Sequence, residues 1–158
     1  MLKLYHLSAS PKLYWETWEH NGEHTVHWGE LGTRGQSKTL KSGFLSNPRK
    51  AIQKEVDQRV SEGFLPIDVE DHAILMIEYA IDGMGTPADL EKRHRLEERM
   101  DETLGWCGIG NCDGGSIGSG TMEVCCFVVD FELARSVVEK DLRSTEFQDF
   151  SRIYDERA

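Results

Sequence analysis

The chain has no apolar run approaching the ~20 residues that a membrane-spanning helix needs. Its start, MLKLYHLSASPKLYW, has no apolar stretch of the kind a secretory signal requires. A membrane protein is therefore not expected, and the cytoplasm is the expected setting. Cysteine is scarce, four in 158 residues. In a reducing compartment these read as free thiols rather than a disulfide framework. Proline is equally scarce, also four, so each one reads as punctuation. A Gly-Lys-Ser/Thr triplet is missing, which removes a nucleotide-binding P-loop. No Ser/His/Asp or Cys/His set is spaced informatively. The chain is expected to be non-enzymatic, without cofactor or metal.

What is present fits a soluble globular protein. Hydrophobic residues make up 39% and charged residues 29%. The net charge of -10 is unevenly divided. Residues 1–66 carry nine Lys/Arg and seven Asp/Glu, a net of +2. Residues 67–158 carry nine and twenty-one, a net of -12. Such a shift suggests two units with different partners. An acidic second half opposes nucleic acid at long range and attracts basic surfaces.

The chain turns on VHWGELGTRGQSKT, Val26 to Thr39. A strand meets Gly29, Gly32 and Gly35 and is followed by a second extended run, Gln36 to Phe44. Glycine in such a corner supplies a positive φ or a close backbone approach. Thr33, Arg34, Gln36, Ser37 and Lys38 offer side chains that can hydrogen-bond a phosphate or a carbonyl. WGELGTRGQSKT resembles the signature of the WGR domain, a small module named for its Trp-Gly-Arg triplet. The resemblance runs to about residue 64, with KLYWETW similar to the preceding strand and Ala51 to Phe64 to the following helix. It implies a curled antiparallel sheet with one helix, and a contact with DNA or RNA through the corner. The candidate contact residues are Trp28, Gly29, Arg34, Lys38, Lys41 and Lys50, with Lys54 extending the basic patch. Glu30 stands where the family has arginine, which reverses the charge there and predicts weak binding. Trp28 shares a strand face with Val26, so it reads either as core or as contact.

Around the corner, Met1 to Leu7 and Leu13 to His20 read as strands. Asn21-Gly22 is a hairpin turn leading into Glu23 to Trp28. Asn47 suits a helix N-cap and Pro48 the first helical position. Ile52, Val56 and Val60 give the buried stripe, and Gly63 ends the helix. His20, His24 and His27 cluster near the hairpin and read as solvated. A linker is expected at Leu65 to Asp68, dividing residues 1–66 from 67–158.

Beyond it, Ala73 to Ile81 reads as a buried strand. Thr86-Pro87-Ala88-Asp89 opens a helix with a capping box, running to about Leu104 with the stripe Leu90, Leu96, Met100 and Leu104. Gly105 to Gly120 holds seven glycines in sixteen residues and places Gly108 to Asp113 in a hairpin strand. Thr121 to Val129 reads as a strand. Asp130 caps a helix to Leu142 with Leu133, Val137 and Val138 inward, and Phe147 to Tyr154 reads as a last strand. Strand, helix, hairpin, helix, strand is a ferredoxin-like order. It loosely resembles small bacterial domains without an assigned role. The expected fold class is therefore α+β, a WGR-like sheet and helix followed by a ferredoxin-like domain. Two functions from different classes follow: a nucleic-acid contact through the corner, or a protein-interaction role in which the acidic half binds a basic partner or a second copy.

Overall fold

The computed structural model describes residues 1–41 and 47–158 and divides them into two compact units, Met1–Asp68 and Val69–Ala158. The first is an antiparallel sheet with one helix. Its strands are β1 (Leu2–His6), β2 (Leu13–His20), β3 (Glu23–Glu30) and β4 (Gln36–Lys41), in the order β1-β2-β3-β4. Asn21 and Gly22 both have positive φ, +51° and +77°, as a hairpin turn matched to the right-handed strand twist demands. The register sets Trp15 opposite Trp28 and Thr17 opposite Val26. That face gathers Leu4, Trp15 and Val26 with Ile52 and Phe64, while Leu13, Trp28, Leu40 and Val56 pack at its margin.

Helix α1 (Pro48–Ser61) supplies the cover. The Asn47 carboxamide accepts from the Lys50 N–H at 3.2 Å. The helix stops at Gly63, where φ is +97°. There the Phe64 N–H reaches the Arg59 carbonyl and the Gly63 N–H the Val60 carbonyl, at 3.0 and 3.1 Å. These are the paired bonds of a Schellman end. Val60 does not join the stripe: it is 48% exposed. The reversal at Gly63 brings Phe64 into the core instead. Leu65 then pairs with Tyr5 through two 2.9 Å bonds, tying the helix exit to β1. The strand expected to reach Phe44 is described only to Lys41, because residues 42–46 lie outside the described residues.

The second unit opens with a short 3-10 turn, Val69–Asp71. It contains β5 (Ala73–Ala80), α2 (Pro87–Trp106), β6 (Gly110–Gly118), β7 (Thr121–Val128), α3 (Phe131–Leu142) and β8 (Arg152–Asp155). The sheet order is β6-β7-β5-β8, with every neighbouring pair antiparallel. This is the ferredoxin-like β-α-β-β-α-β arrangement. Period-two alternation buries Leu75, Ile77 and Tyr79 on β5 and Met122, Val124, Cys126 and Val128 on β7. Leu96, Met100 and Leu104 of α2 and Ala134, Val138 and Leu142 of α3 are buried at four-residue spacing.

Several expectations need correction. Leu90 is 39% exposed. Six residues before Leu96, it lies about 120° around the helix from the buried stripe. Leu133 is only half buried, because Ala134 and not Leu133 shares the spacing of Val138 and Leu142. The last strand is Arg152–Asp155 alone; Phe147 is buried in the turn before it, where its carbonyl accepts from the Tyr79 hydroxyl at 2.8 Å. Much of the glycine-rich stretch is strand, with a bulge between Cys112 and Gly114. Among the described residues no helix is long and apolar enough to cross a membrane.

Candidate functional site

The sheet of the first unit has two faces of different chemistry. Because side chains alternate, Tyr14, Glu16 and His27 project away from the face that packs on α1. They are nonetheless buried, with His27 only 1% exposed. The glycine corner sits against them. Leu31 is buried, and the carbonyls of Thr33 and Arg34 face inward. The Tyr14 hydroxyl donates to the Thr33 carbonyl at 3.1 Å. His27 donates from Nδ1 to Glu16 Oε1 at 2.7 Å, and from Nε2 to the Arg34 carbonyl at 2.6 Å. The Tyr14 oxygen lies 3.0 Å from the same Nε2. Both ring nitrogens are thus engaged by oxygen atoms, which fixes the orientation of the ring. Lys3 Nζ closes the chain at 3.3 Å from Glu16 Oε2.

The glycines permit this approach. A Cβ on Gly29 would lie 2.7 Å from the Gly35 Cα. One on Gly35, where φ is +58°, would lie 2.3 Å from both the Trp28 carbonyl and the Tyr14 hydroxyl. The corner is locked onto the sheet by backbone carbonyls turned toward buried donors. His27 is accordingly not the solvated turn residue expected. His24 lies 3.4 Å from Glu19 and His20 3.0 Å from the Asn21 carboxamide, so these two do not meet across the turn.

The sequence-derived contact residues are distributed around this corner. Trp28 packs at the margin of the core, with Lys38 Nζ 5.7 Å from its ring centre. Gly29 lies against Gly35. Lys38 is held by Glu55 at 2.5 Å and Lys41 by Glu23 at 2.8 Å. Arg49, on the same helix as Lys50, lies 3.5 Å from Glu19. Arg34 and Lys50 are exposed. Glu30 is exposed, and its carbonyl accepts from both the N–H and the hydroxyl of Thr33. The face that the WGR resemblance assigns to nucleic acid is thus an alternation of cations and carboxylates.

One face of α2 is rich in carboxylates, with Arg95 standing among them. Glu91, Glu98 and Glu102 of α2 are exposed and, at spacings of seven and four, share one helix face. Trp106 follows Glu102 by one further turn and is 40% exposed. Most cations of this unit are engaged elsewhere. Lys92 pairs with Asp149 at 2.7 Å, Arg95 with Glu146 at 2.8 Å, and Arg99 with Asp141 at 2.7 Å. Arg93 and Glu97 approach to 3.1 Å, yet their facing atoms are not aligned for a hydrogen bond. The seven-and-four spacing of the acids was legible in the sequence; the exposure of Trp106 was not.

Among the described residues no three His, Cys, Asp or Glu side chains are grouped to hold a metal ion. No protein-family model, no curated protein and no solved structure matches this chain.

Proposed function

We propose that this chain is a cytoplasmic binding protein whose second unit takes a basic protein segment on the exposed face of α2. The observation that carries the reading is the alignment of Glu91, Glu98 and Glu102 with the exposed Trp106. A tryptophan at the end of a carboxylate-rich stripe offers a large contact area and a ring face that attracts Lys or Arg. The surrounding carboxylates steer a cationic partner and repel an anionic one. A second copy of this chain, at net charge -10, meets repulsion at the same face.

The WGR-like reading of the first unit supports a weaker, secondary contact with nucleic acid. Lys38 and Lys41 are already partnered by Glu55 and Glu23, and Glu30 adds a negative charge beside the corner. Few cations remain to displace counterions from a duplex, so its affinity is low and its salt dependence shallow.

The test is fluorescence anisotropy of the full chain with a labelled Lys/Arg-rich peptide and, separately, a blunt DNA duplex. The peptide is expected to bind at physiological salt. The paired reversal Glu98→Lys/Glu102→Lys and the variant Trp106→Ala should each weaken it about tenfold or more. A reversal remote from the stripe, Glu132→Lys/Glu139→Lys, should leave it within about twofold, which excludes mere bulk charge. Duplex binding that exceeds peptide binding and strengthens with Glu30→Arg would sink the reading in favour of the corner.

A further inference from the structure

The two strands of the glycine-rich hairpin, β6 and β7, set Cys112 directly opposite Cys126. Opposed residues on antiparallel strands stand about 4.5–5.5 Å apart at Cα, within the roughly 4.4–6.8 Å that a disulfide bridges. Cys126 is fully buried in the row of Val124 and Val128, whereas Cys112 is half buried. One member therefore opens toward solvent and the other is sheltered behind it. The two thiols are close enough to perturb each other's ionisation. The Cys112 sulfur also lies 3.5 Å from the Cys125 carbonyl and 3.8 Å from the Gly114 carbonyl. Immediately after Cys112 the bulge breaks the regular register. Cys125, one residue along β7 from Cys126, projects from the opposite sheet face. Cys107 caps the end of α2.

The pair is chemically unequal. Stabilisation of the Cys112 thiolate by the facing Cys126 thiol, assisted by the Gly114 backbone, draws Cys112 below its ordinary pKa despite its burial and the charges of Glu97 and Asp101. The facing Cys112, together with burial, pushes Cys126 well above. Cys112 is thus the more readily ionised thiol, and the thiolate is the nucleophile in sulfur chemistry.

We infer that Cys112 and Cys126 form a dithiol site that reduces a hydroperoxide and closes to a disulfide across β6 and β7. In the first step the Cys112 thiolate attacks the peroxide O–O bond. That bond breaks, a sulfenic acid forms on Cys112, and the second oxygen leaves as hydroxide or alkoxide, which takes up a proton. In the second step the Cys126 sulfur attacks the Cys112 sulfur. The S–S bond forms, the S–O bond breaks, and water leaves with the Cys126 proton. Two thiols lose two electrons in all, and the hydroperoxide gains them. A small thiol reverses the change by exchange.

The reduced full chain is treated with hydrogen peroxide, followed by thiol titration under denaturing conditions and non-reducing peptide mapping. The expected result is the loss of two thiols per chain and one linked peptide joining Cys112 to Cys126, reversed by dithiothreitol. Cys125→Ser should leave the linkage intact. Cys126→Ser should stop the reaction at a dimedone-reactive sulfenic acid on Cys112. Cys112→Ser, a half-exposed position that tolerates the change better, should abolish linkage and leave Cys126 unreacted. The inference is overturned if wild-type Cys112 passes to sulfinic acid without a linked peptide, or if the link joins Cys107 or Cys125. Retention of all thiols, under peroxide that fully consumes free cysteine, overturns it equally.

Discussion

At the scale of single residues, the buried Glu16–His27 pair is the most exacting feature of the first unit. The carboxylate is bonded to the ring at 2.7 Å and to Lys3 at 3.3 Å. Removing one partner of such a pair strands a charge that has little access to water. His27→Phe is therefore expected to destabilise the protein by about 3 kcal/mol in urea unfolding. Glu16→Met/His27→Phe, which removes both partners, should recover part of that loss. A double variant no more stable than the single one would mean that the pair is not what holds the corner. Gly35→Ala is the second test. A Cβ there meets the Trp28 carbonyl and the Tyr14 hydroxyl, at a positive φ. The expected cost is about 2–4 kcal/mol, measured by the same unfolding curve. The same change at Gly105, where a Cβ meets nothing within 4 Å, should be tolerated.

At the scale of elements, the start of α2 is set by a reciprocal cap. The Asp89 N–H bonds the Thr86 hydroxyl at 3.2 Å, and the Asp89 carboxylate accepts from the Thr86 N–H at 2.8 Å. Thr86→Ala should cost about 1 kcal/mol in thermal or urea unfolding. The Thr86 hydroxyl, then its backbone N–H, hold the Asp89 carboxyl below the usual carboxylate range. A depressed carboxyl stabilises the fold above its ordinary pKa of about 4, and that contribution is lost as pH falls through the depressed value. The protection of the Asp89 and Leu90 amides relative to their intrinsic exchange rates should therefore fall on acidification, and Asp89→Asn should flatten this dependence. Exchange equally protected from neutral to acid pH would remove the cap from the argument. The edge strand β6 is defended by the same helix. Asp101 accepts from the Cys112 N–H at 3.3 Å, and Arg93 donates to the Gly115 carbonyl at 3.1 Å. Side chains from α2 thus occupy backbone groups that an edge would otherwise offer to another strand.

At the scale of the whole molecule, Met1–Asp68 and Val69–Ala158 each hold their own sheet and core. The junction from Pro66 to Asp71 is mostly exposed. Limited digestion with a Glu-specific protease should cut first at Glu70 and leave two folded fragments, read by mass and circular dichroism. Resistance at Glu70, with first cuts inside either unit, would show that the two do not behave as separate bodies. The cut should fall after Leu65, because its two bonds to Tyr5 make it part of the first sheet.

Local chemistry determined the elements of this protein. Asn47-Pro48 opens α1, Gly63 closes it, Asn21-Gly22 turns the hairpin, and Thr86 to Asp89 starts α2. Each acts through backbone groups within a few residues, so the sequence alone carries it. Alternation and helical spacing similarly put Val26 and Trp28 on one face and Leu96, Met100 and Leu104 on another. Tertiary structure decided what long-range neighbours decide. His27 and Glu16 are eleven residues apart and become a buried pair only through strand register and the folding-over of the corner. Gly29 and Gly35 read as places of close backbone approach; the fold shows that what they approach is each other and Tyr14, which makes them a lock. Lys38 and Lys41 read as a basic patch until Glu55 and Glu23 are brought against them. Cys112 and Cys126 read as unrelated core thiols until the bulged register sets them face to face. In every case the deciding interaction joins residues whose separation in the chain carries no periodic signal, so only the assembled sheet reveals it.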